Sequence, residues 1–253
     1  ALLDVFFPYH GAKDESAFTR DGNFMYTIPK TPPDLDALRK KVPGSALIGD
    51  GVLDICRLSD VVFLALHGGM GEDGRLQAIL SSMGIPYTGS DFSSCLSAMD
   101  KSFSKLLFRA AGVATADFTV LKAGERPKAV AFPCVVKPCS CGSSVGVSKA
   151  ADREALTRAL THAAQFDSKI LVEEFIHGRE IEVAVMGNEN PVASICGEIE
   201  SGADFYDYNA KYISDTSVAY IPARIPEDVA EQVRDYAVKV YSAIGCKGLS
   251  RVD

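Results

Sequence analysis

The stretch VVKPCSCGSSVGVSK, residues 135–149, constrains the fold more than any other part of the chain. An apolar, β-branched run ends in Lys137, a Gly-Ser-Ser-x-Gly loop follows, and a second apolar run begins at Val145. That order predicts a β-loop-β unit. Glycines permit positive φ and close backbone approach. Successive N–H groups in such a loop can form a concave anion site, with serine hydroxyls as further donors. Lys137 adds a compact positive charge. The loop is no Walker A motif, which needs Gly-Lys-Ser/Thr opening a helix, and no dinucleotide fingerprint. The residues alone leave two readings open, a phosphate loop and a plain flexible hairpin. A zinc or redox role for Cys139 and Cys141 needs further ligands at matching spacing. The chain has seven cysteines and four scattered histidines. The odd number and irregular spacing predict neither a disulfide framework nor a metal centre built on cysteine.

The flanking patterns predict a mixed α/β chain of three parts. In residues 1–92, VVFLAL (61–66) reads as a buried strand, followed by a glycine-rich turn and a helix carrying Leu76, Ile79, Leu80 and Met83, with Gly84 as its stop. Residues 11–45 are polar and proline-rich and predict a hairpin at Asp21-Gly22 with loops. In residues 93–178, one helix is expected over 93–111 with Leu96, Met99, Phe103, Leu106 and Leu107 as its apolar stripe. Strands are expected at 132–137, 145–149 and 169–175, with a helix over 152–165 between the last two. In residues 179–253, EIEVAVMG (180–187) alternates as a half-buried antiparallel strand, and another strand is expected near 192–199. A helix over 227–244 has Pro226 at its start and Gly245 at its end, and GLSRVD begins a last strand. Residues 201–222 form a loop long enough to expect a function, with Tyr206, Tyr208, Tyr212 and Lys211 as a candidate lid.

Other motifs carry both a functional and a plain reading. In LHGGMGEDG (66–74), His67 and Glu72 stand at the carboxyl end of a strand, where open α/β sheets bind ligands. The plain reading is a strand-to-helix turn with Asp73 at the helix start. In LVEEFIHGREIEV (171–183), Glu173 and Glu174 end one strand and Glu180 and Glu182 begin the next. A carboxylate there can accept from an exocyclic amine or a ribose hydroxyl; otherwise these are solvated acids around a turn. Lys101 and Lys105 lie four apart on one helix face, which by itself reads as a solvated face. Arg251 and Asp253 share a strand face and form either a salt bridge or an oxyanion donor beside a Mg²⁺ ligand.

Taken in order, HGGMGEDG, IPYTGS, AMDKSFSK, VVKPxxxGSSVGV, VEEFIHGREIEV, FYDYNAKY and GCKGLSRVD resemble the D-alanine–D-alanine ligase family of the ATP-grasp superfamily, over about residues 58–253. The resemblance implies an ATP-grasp fold of three lobes: an N-terminal substrate-binding α/β lobe, a small central lobe and a C-terminal lobe. It implies that ATP phosphorylates one D-alanine and that the amine of a second D-alanine attacks the acylphosphate. Lys101, Lys137 and Lys211 then resemble the ATP-phosphate lysines, and Ser143 and Ser144 the loop over the phosphates, with Ser143 bonded to Tyr212. Glu173, Glu174, Phe175 and Ile176 resemble the adenine site, and Glu180 the ribose acid. His67 and Glu72 resemble the first D-alanine site, Arg251 the oxyanion donor, and Asp253 a Mg²⁺ ligand, with Mn²⁺ as a substitute metal. Lys105 keeps its solvated reading, and the lid tyrosines favour an amine as second substrate.

Two family segments have no counterpart here: an opening strand with a Gly-Gly-x-Ser-x-Glu turn, and an Asn-Glu-x-Asn-Thr-x-Pro-Gly segment after the position of Asp253. The chain is therefore expected to be the readable part of a longer one. A net charge of −7 argues against nucleic acid. No apolar run reaches the roughly 18 residues of a membrane span. A cytoplasmic homodimer is expected. The alternatives are a catalytically silent nucleotide-binding domain, and a ligase joining D-serine or D-lactate.

Overall fold

A computed structural model describes residues 30–31, 34, 36–37, 40, 47–49, 51–200 and 217–253. The expected hairpin at Asp21-Gly22 and the candidate lid residues Tyr206, Tyr208, Lys211 and Tyr212 lie outside these residues. The chain divides into two compact units, residues 1–64 with 78–88, and residues 65–77 with 89–253.

In the first unit, α1 (Val52–Leu58) precedes the VVFLAL segment. That segment forms no long buried strand among the described residues. Its pairing is a single parallel bridge, Val62 to Tyr87, and Phe63 is 76% exposed. Val62 donates to Pro86 O, Thr88 donates to Val62 O, and Leu64 donates to the Thr88 hydroxyl. Three bonds to one short neighbour cannot bury both faces of a strand. The helix α2 (Arg75–Ser82) forms as expected and stops at Gly84, φ 66°.

The second unit holds two mainly antiparallel sheets, each with one face on a helix. The first contains β1 (Phe118–Lys122), β2 (Cys134–Pro138), β3 (Ser148–Ala150) and β4 (Lys169–Glu174) in the order β1-β4-β2-β3. Successive strand residues point to opposite faces. Leu121, Cys134, Val136, Ala150, Ile170 and Val172 therefore pack together against Leu156, Ala159, Leu160 and Ala163 of α5, the helix Arg153–Ala163. Asp152 caps that helix by accepting from Ala155 N. On the other face the register aligns Phe118, Glu173, Val135 and Lys149 in one row across all four strands. Lys137, two residues along β2 from Val135, shares this face.

The second sheet centres on β5 (Glu180–Gly187). It pairs with β9 (Gly248–Val252), β6 (Val192–Ala193) and β7 (Gly197–Glu200), and β8 (Val218–Tyr220) extends β7. Val183 and Val185 pack with Ala237 and Tyr241 of α6 (Glu227–Ile244). Tyr241 is buried, and its hydroxyl donates to Gly187 O at 2.6 Å, so the aromatic fills the core with its polar end satisfied. The opposite parity of β5 carries Glu180 and Glu182, and Arg251 sits across from Ala184 on that same face.

The helix expected over 93–111 is two helices, α3 (Phe92–Met99) and α4 (Lys101–Ala110). The apolar stripe was also misplaced. Leu96, Phe103 and Leu106 are about half exposed, while α4 buries Ser102, Ser104 and Lys105. A break at Asp100 rotates the second helix, and its buried face is polar because it meets charged partners.

Candidate functional site

Asp100 organises the start of α4. Its backbone lies at φ −84° and ψ 104°, and its carboxylate accepts from Ser102 N at 2.9 Å and Ser102 Oγ at 2.7 Å. This N-cap satisfies donors that a helix start leaves open. Lys169 Nζ, 2.8 Å from the other carboxylate oxygen, sits 4.5 Å from the centre of the Phe103 ring. Burial pushes the Asp100 carboxyl up, but the bonds from Lys169 and Ser102 outweigh it and hold the pKa below the usual range.

Lys101 is consequently fixed as the first helical residue. Its backbone N donates to Cys139 O at 3.0 Å, and its Nζ donates to Cys141 O at 2.5 Å. The side chain thus crosses to the 139–147 loop. Burial and the nearby Lys137 charge lower its pKa, the condition of a cation short of counter-charge.

The loop itself holds an uncommon backbone. Val145 N donates to Gly142 O, and the two central residues, Ser143 and Ser144, have φ of 52° and 58°. Positive φ at both centres is the sign pattern of a type I′ turn. For non-glycine residues such conformations cost on the order of 1–3 kcal/mol each, and they collect at ligand clamps. Gly146 follows at φ 71°, where an added Cβ would stand 2.7 Å from both Phe166 Cδ2 and Pro138 Cγ.

Glu173 is the buried acid of the face. Lys137 Nζ pairs with its Oε1, and Lys105 Nζ lies 2.9 Å from Oε2, within ion-pair distance but off the hydrogen-bonding direction. Burial pushes the Glu173 carboxyl up, yet Lys137 and then Lys105 outweigh it and hold the group ionised. Lys105 also donates to Thr115 Oγ1 at 2.5 Å and Ala116 O at 3.3 Å. The solvated reading of Lys105 is therefore corrected: it is buried, because α4 turns its polar face inward.

Beyond Glu174 the chain leaves the sheet. Glu174 N donates to Asp117 O, Glu174 Oε1 accepts from Asp117 N, and Phe175 N donates to Pro133 O. Lys149 Nζ stands 3.8 Å over the Phe175 ring, whose edge meets His177 at 4.6 Å. Ile176 is 62% exposed. In the other sheet, Glu180 is exposed on β5. Arg251 grips Asp253 through two bonds, Nε to Oδ1 at 2.7 Å and NH2 to Oδ2 at 3.0 Å, and its NH1 lies 3.4 Å from Glu182. His67 and Glu72 are exposed, and Glu72 accepts from Gly68 N at 2.6 Å, closing its own turn. Asp73 caps α2 through Arg75 N.

The cysteines take no part in this chemistry. Cys139 is fully buried and its thiol is pushed up to about 11 by burial, then by Asp100. Burial also raises Cys141. Both remain thiols near neutral pH. Among the described residues, no three His, Cys, Asp or Glu side chains gather as metal ligands. Asp253 alone does not fit a Mg²⁺ site, since both its oxygens are held by Arg251 and the ion demands about six oxygen ligands.

On this face Lys105 and Lys137 pair with one acid, Glu173, and Lys101 lies near Lys137. The family model described as D-ala D-ala ligase C-terminus matches residues 107–253, and that described as D-ala D-ala ligase N-terminus matches residues 10–90. The chain belongs to the D-alanine–D-alanine ligase family. A D-alanine–D-alanine ligase from Chlorobium limicola is 51% identical over 77% of this chain. The match spans 56% of that relative, so the chain covers about half the length of such proteins. Among solved structures, the VanG D-Ala:D-Ser ligase of Enterococcus faecalis superposes with a TM-score of 0.69 at 35% identity, over 76% of this chain and 58% of that one. The Bacillus anthracis D-alanine–D-alanine ligase complexed with ATP does so at 0.68 and 30%, over 80% and 66%. The mixed helix and antiparallel sheet is thus the ATP-grasp fold of this ligase family.

Sequence reasoning missed Lys105, Lys149 and the Asp100–Lys169 pair. The four-residue spacing in DKSFSK placed Lys105 beside Lys101, but nothing in that spacing says which way the face turns. Lys149 needed the β2–β3 register, which pairs it with Val135.

Proposed function

We propose that the protein is an ATP-dependent D-alanine–D-alanine ligase, acting in the cytoplasm on two D-alanine molecules to supply a cell-wall precursor. One observation carries the reading: Lys137 and Lys105 pair with a single buried carboxylate, with Lys101 close by, beside a loop strained into positive φ. That charge balance suits a polyphosphate. Lys101 and Lys137 would meet the phosphates, with Ser143, Ser144 and Lys211 over them and Ser143 tied to Tyr212. Glu173 would accept from the exocyclic amine of adenine, with Glu174, Phe175 and Ile176 around the ring and Glu180 at the ribose. Lys149 would have to leave the Phe175 ring if the base is to stack on that side.

In the proposed reaction, a carboxylate oxygen of the first D-alanine attacks the γ-phosphorus and ADP leaves. The amine of the second D-alanine attacks the acyl carbon, and the tetrahedral intermediate expels phosphate as the amine loses its proton. Positioning and charge neutralisation supply most of the rate. His67 and Glu72 would line the first D-alanine site, and Arg251 would face the oxyanion. The division into lobes at residues 92 and 178 and a homodimeric state belong to the same proposal. D-Alanine-dependent ADP release by the full-length protein tests it. Equal turnover with L-alanine, or none with D-alanine, would sink it. The likeness to a D-Ala:D-Ser ligase makes D-serine the acceptor to compete against D-alanine in that assay.

A further inference from the structure

Glu173 is claimed by two lysines whose surroundings differ. Lys137 extends from β2 to Oε1 and, on the ligase reading, must turn toward phosphates when nucleotide binds. Its departure would leave a carboxylate only 8% exposed with half its counter-charge gone. Removing one partner from a buried pair is costly because the remaining charge has no water to compensate it. Lys105 has no such freedom. Its ammonium is held by Thr115 Oγ1 and Ala116 O and lies 5.4 Å from the centre of the Phe118 ring, which is Glu173's own neighbour across β1.

We propose that Lys105 is a positioning residue, a fixed counter-charge that keeps Glu173 ionised and aimed while Lys137 moves between that carboxylate and the phosphates of a nucleotide. The proposal rests on the ligase reading. Lys105 acts through Glu173 and touches no substrate. The charged groups that face Glu173 are Lys137 from β2, Lys105 from α4 and, less directly, Lys101. Its flanking partners across the sheet, Phe118 and Val135, are apolar. With Lys137 drawn to phosphate, Lys105 is therefore the nearest cation left. Without Lys105, burial dominates and the carboxyl binds a proton at a higher pH. A protonated acid donates where the ionised one only accepts, so the preference for a base with a 6-amino group falls.

The test measures nucleotide affinity by calorimetry on the full-length protein, with ATP and with inosine triphosphate, which carries a 6-oxo group. Wild type sets the reference profile over about pH 6–8.5, because its carboxyl stays ionised throughout and only the terminal phosphate of the nucleotide, with a second pKa of about 6, titrates there. Lys105→Met is expected to bind ATP more weakly at the acid end, about tenfold for each unit by which the Glu173 pKa rises above the working pH, with recovery toward the alkaline end. Its preference for ATP over inosine triphosphate is expected to shrink, and Lys105→Arg should restore both. Should Lys105→Met not fold, Thr115→Val removes an anchor of the ammonium and should move both readouts the same way, by less. A Lys105→Met or Thr115→Val protein with the wild-type pH profile and nucleotide preference would overturn the proposal. So would a loss equal at every pH and for both nucleotides. Failure of wild type to bind ATP would instead bring down the ligase reading, and this inference with it.

Discussion

Replacing Asp100 separates two contributions that meet at one side chain. The carboxylate caps α4 through Ser102, and it pairs with Lys169. Asp100→Ala removes both. Loss of an N-cap costs about 1 kcal/mol. The ion pair adds about 0.5–1 kcal/mol, because the Lys169 side chain is 34% exposed and remains over the Phe103 ring. The sum is about 2 kcal/mol, which lowers Tm by roughly 5 °C in a chain of this size. Asp100→Asn keeps the cap, since asparagine caps as well as aspartate, and should lose only about 2 °C. The pH dependence has a definite sign. The Asp100 pKa is depressed on folding, so its ion-pair contribution is complete above about pH 5 and fades as pH falls through the ordinary carboxylate range of about 4 to the lower folded value. The gap between wild type and Asp100→Asn should therefore close in acid. Thermal melts followed by circular dichroism measure this, and ATP titration reads the effect on Lys101, which the cap holds at the helix start. An Asp100→Ala protein that melts within 1 °C of wild type, or an Asp100→Asn protein as damaged as it, would refute the reasoning.

Gly146→Ala should destabilise by about 1–3 kcal/mol in denaturant titrations, because its Cβ meets Phe166 and Pro138. Gly142→Ala, where an added Cβ meets nothing within 4 Å, should stay within about 0.5 kcal/mol of wild type. Lys137→Ala should largely abolish ATP binding, while Cys139→Ser and Cys141→Ser should leave turnover within a few fold; the opposite pattern would contradict the reading of the loop. Glu198 is buried and gripped by Arg224, whose bonds hold its pKa down to about 2. Glu198→Gln should therefore melt lower than wild type at neutral pH, with the difference closing only as pH falls from about 4.5 toward 2. A difference that closed by pH 5 would count against that pair.

Much of the second unit was legible because local signals and burial agree there. EIEVAVMG alternates, and it forms a strand over Glu180–Gly187 with Val183 and Val185 inside. Pro226 and Gly245 bound the final helix where they were expected. The β-loop-β unit at Lys137 was readable from its punctuation. The break at Asp100 was not, since apolar spacing runs on through it and only the cap geometry distinguishes one helix from two. The inward polar face of α4 was illegible for a related reason: serines and a lysine look like a solvated surface until the acid they meet is known. VVFLAL misled because composition suggests burial, whereas burial depends on neighbours on both sides. At the candidate site, Lys137 and Glu173 come together as paired charges, and Arg251 and Asp253 do likewise. Glu72 accepts from Gly68 N, closing its own turn, and Tyr212 and Lys211 lie outside the described residues.

The alternation along β4 limits how this chain can vary. Val172 points into the core beneath α5, and Glu173, the next residue, points to the lysines. Scaffold and chemistry are thus interleaved like two messages in one reading frame. A single-residue deletion in the turn before Lys169 that slid β4 by one place would drive the Glu173 carboxylate among Leu156 and Leu160, while Glu174 took its place before the ammonium groups. The core would fail even though an acid still faced the lysines, because a buried carboxylate among leucines has no partner. This strand tolerates exchange of side chains far better than change of length.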